Sequence, residues 1–310
     1  MRILFAGTQE IAVPVLEELN RHKLVSLVLT TPDAPGKRGS TLLPSPVKAK
    51  ALELGLPLIQ PEHLGSAARA QVSAFAPDTL VSFCYGKIFG PKFLAMFRHK
   101  FNIHPSLLPK YRGCAPLQAA ILNQDRKTGI SIQDIAAGID EGDIYLAQSF
   151  ELDGCETLSV LEEKVMKLAP LLLSDLFSNI DVFCPTPQPE FGASYTEFIK
   201  KTDGRIDFTK SARDLHAQIR AYSQWPKAEC MLDGSPLYLT GVSGSVFDIE
   251  ECVCDEECGT VAGFEKGKGL KIATGSGYLF VTSLQLPARK NMDSQSFVNG
   301  RHDIIGKVLS

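Results

Sequence analysis

The first half of the chain alternates short, continuous apolar runs with stretches whose apolar residues recur every three or four positions. "RILFA" is such a run. Residues 12 to 22 then place Val13, Val15, Leu16 and Leu19 at helical spacing, and "LVSLVLT" (24–30) is apolar again. "SPVKAKALELG" predicts a helix with Pro46 in its first turn and Gly55 just past its end. "LPLI", "TLVSFC", "FNIH" and "GISIQDI" continue the strand series, with helical patterns between most of them. "YLAQSFEL" alternates and suits an edge strand, and residues 157 to 178 read as a long apolar helix. Continuous apolar strands separated by helices imply an α/β architecture, a mostly parallel sheet covered on both faces.

The pattern stops at "DVFCPTPQPEFG". Pro185, Pro187 and Pro189 forbid a helix and favour an extended connector. Beyond it, "SARDLHAQIRAY" predicts an amphipathic helix. Short strands follow between Gly-rich turns, in "AECMLDGSPLYLTG", "GTVAGF" and "GLKIATGSGYLFVTSLQL". "LDGSP" and "ATGSGY" read as hairpin turns, so the second half is expected to be a small β-barrel. The expected organisation is one domain over 1–183, a linker over 184–205 and a second domain over 206–310.

Composition changes this picture little. A length of 310 residues suits two domains, and 44% hydrophobic with 22% charged residues is ordinary for a globular chain. No apolar run approaches the ~20 residues of a membrane span. "MRILFAGTQE" lacks the longer apolar core of a signal peptide and reads as a first strand, so a cytoplasmic location is expected. Eight scattered Cys are then expected to be thiols. "CVCDEEC" (Cys252, Cys254, Cys258) lacks a second Cys/His pair at zinc-site spacing and reads as a solvated acidic loop, so no metal is expected.

Charge is more informative. The net charge of −3 argues against a wholly basic nucleic-acid binder. From Phe191 to Ser310, however, 14 Lys/Arg stand against 15 Asp/Glu, and six of those acids lie between Asp248 and Glu257. Outside that loop the second half has a basic excess. Lys200, Lys201, Arg205, Lys210, Arg213 and Arg220 bunch at the linker and first helix, a candidate phosphate-binding edge on a barrel.

Two features carry candidate chemistry. Asn102 and His104 stand two apart at the end of "FNIH". Side chains at i and i+2 of a strand point the same way, and the ligand crevice of an open parallel sheet lies outside its carboxyl ends. The second feature is "AAGIDEGDI" (136–144). There Gly138 and Gly142 flank Asp140, which implies positive-φ positions that fix a carboxylate in a loop. A carboxylate beside an imidazole orients it or keeps it protonated. "FAGTQE" is not the dinucleotide fingerprint, and no Walker loop occurs.

"NIHPSLLPKYRG" followed by "GIDEGDI" resembles the folate-dependent formyltransferases, which carry Asn-x-His at a strand end, then Ser-Leu-Leu-Pro, then an Asp in a Gly-rich loop. "TPDAPGKRGSTLLPSPVKAKALELGLPLIQP", "TDGRIDFTKSARDLHAQIRAYSQWP" and "FVNGRH" are similar to the members that act on methionyl-tRNA. Pro105, Ser40 and Thr41 depart from the usual pattern.

The resemblance implies a Rossmann-like catalytic domain followed by an OB-like barrel that binds tRNA. It implies transfer of a formyl group from N10 of 10-formyltetrahydrofolate to the amine of methionine on initiator tRNA. Asn102, His104 and Asp140 would be the catalytic residues, and no metal would take part. The Ser106–Pro109 turn (Ser106, Leu107, Leu108, Pro109) and backbone near Tyr85, Gly86 and Ile88 would lie along the folate. Lys37, Arg38, Lys200, Lys201 and Arg205 would contact tRNA, the protein acting as a monomer away from membranes. A glycinamide ribonucleotide formyltransferase, a formyltetrahydrofolate dehydrogenase hydrolase domain and a sugar-nucleotide formyltransferase share the first domain. A non-catalytic RNA-binding protein would share the fold. The second half and the "PDAPGKRG" loop favour the tRNA enzyme over these.

Overall fold

The structure is a computed structural model that describes residues 1–36 and 42–310. Lys37, Arg38, Ser40 and Thr41 lie outside the described residues. The chain divides into two compact units. One comprises 1–114, 129–149 and 162–196, and the other comprises 115–128, 150–161 and 197–310. This grouping differs from the division expected at 183 and 206. Two excursions from the first half, 115–128 and 150–161, group with the C-terminal part of the chain, and the proline-rich connector up to Thr196 groups with the first.

The first unit is built on a seven-stranded sheet. Its strands are β1 (Ile3–Gly7), β2 (Val25–Leu29), β3 (Leu58–Ile59), β4 (Thr79–Phe83), β5 (His99–His104), β6 (Lys127–Asp134) and β7 (Ile144–Glu151). Their spatial order is β7-β6-β5-β4-β1-β2-β3. Strands β1 to β5 pair in parallel, whereas β6 runs antiparallel to β5. Every residue of β1 and β4 is buried, as a sheet covered on both faces requires. Helix α1 (Val13–Arg21) buries Val13, Val15, Leu16 and Leu19, the set that its spacing predicts. Helix α2 (Pro46–Glu53) starts at Pro46, with the Ser45 hydroxyl accepting from the Lys48 amide as its N-cap. Helix α3 (Ser66–Ala74) follows β3.

The second unit holds α4 (Pro116–Leu122) and an antiparallel sheet of β8 (Ala228–Leu232), β9 (Ser235–Val242), β10 (Val261–Glu265), β11 (Gly269–Ala273) and β12 (Tyr278–Gln285), ordered β8-β9-β12-β11-β10. Of the long helix α5 (Leu158–Ser178), residues up to Leu161 group with the second unit and those from Glu162 with the first. Helix α6 (Ala212–Ala221) is capped by Ser211 and buries Leu215 and Ile219 in the sheet's core, and α7 (Ser294–Gly300) adds Phe297. The β8–β9 hairpin turns at Asp233 and Gly234, both at positive φ, as "LDGSP" predicts. The two outer strands, β8 and β10, are joined by the last residues of the chain. Ser310 exchanges both backbone hydrogen bonds with Met231 next to β8's end, while Lys307 and Leu309 pair with Val261 and Gly259. The expected barrel is therefore closed by a stave that carries no strand signal in the sequence.

Candidate active site

Asn102 and His104 close β5 and, two residues apart, project on one face of the sheet. His104 is 4% exposed. Its Nε2 lies 2.8 Å from the Tyr111 carbonyl oxygen. A carbonyl only accepts, so Nε2 carries the hydrogen and Nδ1 is the nitrogen turned toward the site, 3.5 Å from Asp140 Oδ2. Asn102 Nδ2 donates to Asp140 Oδ1 at 3.1 Å. The three side chains that the sequence singled out are thus brought together.

Asp140 reaches this corner by an unexpected path. Because β6 runs against β5, it passes His104 at Ser131 and ends with Asp134 beside Phe101, three residues beyond. The chain doubles back over 135–143, with the Asp134 amide donating to the Asp143 carbonyl. Asp140 itself adopts the left-handed conformation (φ 55°), and the flanking glycines do not. Gly142 serves a different need, since a Cβ there would stand 1.8 Å from the Asp134 carbonyl oxygen. The expectation of positive φ at the glycines is corrected accordingly.

The Asp140 carboxylate is held from two further directions, and its backbone from a third. Gln133 Nε2 donates to Oδ1 at 2.9 Å and the Gly113 amide to Oδ2 at 2.8 Å. Gln133 faces Asn102 across the β5–β6 register and is 1% exposed. Gln188 of the connector donates to the Asp140 and Gly142 carbonyls, and Arg112 donates to Gln188. Sequence reasoning missed all three of these side chains. One signal was available for Gln133, the lone carboxamide in the predicted strand "GISIQDI".

Several of the proposed folate residues turn their side chains inward. Ser106 is fully buried; its hydroxyl donates to the Lys110 carbonyl and its own carbonyl accepts from Ser131. Leu108 is buried, with its amide on Ser131 Oγ. Tyr85 packs in the core with Leu4, Leu27, Leu80 and Phe93, and its carbonyl accepts from Thr8. The side chains of all three are buried, and the expectation near Tyr85 concerned backbone. Leu107 and Pro109 are half-buried, and Gly86 and Ile88 are exposed. The neighbouring Cys84 is no nucleophile at neutral pH. Burial of its sulfur, then the carboxylates of Glu162 and Asp140, push its thiol up to about 12.

In the second unit Lys200, Lys201, Arg205 and Lys210 are exposed, as a phosphate-binding role needs. Arg213 and Arg220 are not available for it. Arg213 donates to the Phe247 carbonyl, and Arg220 is 4% exposed with Nε on His216 and Nη1 on the Glu156 carbonyl. Among the described residues no group of His, Cys, Asp and Glu could hold a metal ion, and no helix is long and apolar enough to cross a membrane.

An Asn-x-His strand end beside a loop-borne Asp, on a mostly parallel sheet followed by an antiparallel barrel, is the arrangement that the sequence resemblance implied. The formyl transferase family model matches residues 1–176, and the model of the family's C-terminal domain matches 198–302. The chain belongs to the formyl transferase family. Its relatives include the methionyl-tRNA formyltransferase of Borreliella afzelii, 35% identical over 100% of this chain and 98% of that protein. The methionyl-tRNA formyltransferase of Treponema denticola is 37% identical over 98% of each. Among solved structures, HypX from Aquifex aeolicus in complex with tetrahydrofolic acid superposes with a TM-score of 0.64 at 16% identity, over 96% of this chain and 47% of that one, a likeness of fold.

Proposed function

We infer that this chain transfers the formyl group of 10-formyltetrahydrofolate to the amino group of methionine on initiator tRNA, supplying formylmethionyl-tRNA for translation initiation. The observation that carries the reading is full-length likeness to methionyl-tRNA formyltransferases in a chain whose Asn102, His104 and Asp140 converge at one strand end. The acceptor amine is the nucleophile, so the protein needs none of its own. Asn102 spends one amide hydrogen on Asp140 and has a second for the oxygen of the tetrahedral centre. One such donor is typically worth ~10²–10³ in rate. His104, oriented through Nε2 by Tyr111, offers Nδ1 to the same centre and hands protons to and from Asp140. The nitrogen–carbon bond to methionine forms, the carbon–N10 bond breaks, and the amine's proton passes to N10. Positioned proton transfer of this kind contributes ~10²–10⁴.

The folate is a co-substrate, and exposed Gly86 and Ile88 with half-buried Leu107 and Pro109 remain suited to line it. Exposed Lys200, Lys201 and Arg205, together with Lys37 and Arg38, are read as phosphate contacts. Replacing the first three with Ala should flatten the salt dependence of tRNA binding by roughly 0.7–0.9 in log–log slope per contact. The chain is proposed to act as a monomer in the cytoplasm, away from membranes.

The test follows a labelled formyl group from 10-formyltetrahydrofolate in the presence of Met-tRNA, a sugar-nucleotide amine, glycinamide ribonucleotide or no acceptor. Label on the methionine amine is expected. Release as formate with every acceptor, or equal transfer to the small amines, would overturn the reading.

A further inference from the structure

We propose that Gln188, on the connector beyond the sheet, is a positioning residue for Asp140. In this role it fixes the 138–142 loop and decides which end of the Gln133 amide faces the carboxylate. The inference rests on the catalytic reading of Asp140 and adds a part that the formyl transferase match over residues 1–176 leaves out.

The argument follows hydrogen-bond polarity. Arg112 donates through Nε and Nη2 to Gln188 Oε1, at 3.1 and 2.8 Å. A guanidinium cannot accept, so the oxygen end of Gln188 is pinned toward Arg112 and its NH2 points the other way. That NH2 meets three acceptors: Gln133 Oε1 at 3.1 Å, the Asp140 carbonyl at 2.8 Å and the Gly142 carbonyl at 2.7 Å. Because Gln133 Oε1 is thereby occupied, its own NH2 must face Asp140 Oδ1, where it stands at 2.9 Å. Arg112, Gln188, Gln133 and Asp140 form a one-way relay in which each donor orientation sets the next.

The same connector braces the loop a second time. Tyr195–Thr196 pairs with Arg112–Gly113. Arg112 Nη1 donates to the Tyr195 hydroxyl at 2.7 Å, and that hydroxyl donates to Glu141 Oε1 at 2.6 Å. Gly113, whose amide holds Asp140 Oδ2, has φ 103°, and a Cβ there would stand 2.6 Å from the Thr196 carbonyl oxygen. Asp140 sits in a backbone conformation that a non-glycine residue keeps only where its surroundings over-determine it, and these contacts are that surrounding.

The deciding variant is Gln188→Glu in the full-length chain. It keeps size and the Arg112 pairing but has no N–H for the three acceptors. It also sets an oxygen against Gln133 Oε1, so the Gln133 amide turns over and presents oxygen to Asp140. A misplaced catalytic group costs on the order of 10² in rate, so kcat should fall by about that factor. KM for folate and for Met-tRNA should stay within about threefold, because the loss falls on the transition state. Gln188→Met, which removes both polar ends, should show the same split between kcat and KM. In a Gln133→Leu background the added loss from Gln188→Glu should shrink below roughly tenfold, since coupled residues are not additive. A folded Gln188→Glu or Gln188→Met protein with kcat within about threefold of wild type, changed only in melting temperature, overturns the proposal. If Asp140→Ala is itself silent, the catalytic reading fails instead, and the two failures are told apart.

Discussion

Two buried histidines, one in each unit, are wired alike and surrounded differently. His104 donates through Nε2 to a backbone carbonyl, that of Tyr111, and turns Nδ1 to the carboxylate of Asp140. His216 sets Nε2 3.2 Å from the Gly244 carbonyl, and its Nδ1 accepts from Arg220 Nε at 3.0 Å. A carboxylate opposite Nδ1 lets a ring take and give a proton. A guanidinium opposite Nδ1 needs the lone pair and forbids the proton. Burial first, then the Arg220 charge, pull His216 down to about 4. Burial therefore does not distinguish the two histidines, whereas the charge opposite the second nitrogen does.

Replacing the polar corner should show the largest effect. Asn102→Ala, His104→Ala and Asp140→Ala should each lower formyl transfer by at least ~10², with melting close to wild type and with losses that do not add, since the three act as a unit. Steady-state kinetics beside circular dichroism checks this; a folded Asp140→Ala protein with normal turnover would sink the assignment.

Removal of the other histidine should act on stability. His216→Ala leaves Arg220 Nε buried without its acceptor, in a side chain whose Nη2 is already buried without a partner. An unsatisfied buried donor costs ~1–3 kcal/mol, and a charged one more, so denaturant unfolding of the second unit should shift by about 3 kcal/mol.

The same histidine gives a pH dependence of fixed sign. Its folded value is depressed from 6.5 to about 4, so between those values the unfolded chain binds the extra proton. Stability therefore falls as pH drops from 6.5 toward 4, by up to about 1.4 kcal/mol per pH unit. Unfolding midpoints measured across that window should be flatter for His216→Gln than for wild type.

The smallest effect is expected at the exposed cluster of Asp233, Arg301, Asp303 and Lys307. Hydrogen bonds from Arg301 and Lys307 hold the Asp303 carboxyl well below its ordinary 3.8. Its stabilisation is present above that value and is lost on further acidification. Asp303→Asn should change the melting temperature only slightly, and 1 M salt should erase most of the difference, because exposed pairs are screened.

The corner was legible in the sequence where local rules sufficed. The i, i+2 spacing put Asn102 and His104 on one face, and glycines on both sides of Asp140 marked a constrained loop. What escaped depends on tertiary pairing. Gln133 became a site residue through antiparallel register with Asn102, and Gln188 through a connector that folds back on the sheet. Nothing local distinguishes Arg220, buried on His216, from exposed Lys210 in the same charge run. Motif position said nothing of side-chain direction at Ser106, Leu108 and Tyr85, all of which are buried. The closing stave at 307–310 is legible only from the two strands it joins.

The most direct test compares His104→Ala with His216→Ala, measuring formyl transfer to Met-tRNA per folded molecule alongside unfolding. The account predicts a loss of at least ~10² in turnover with near-normal melting for the first, and normal turnover with lowered stability for the second. Equal turnover in the two variants, or the reverse assignment of the two effects, would contradict it.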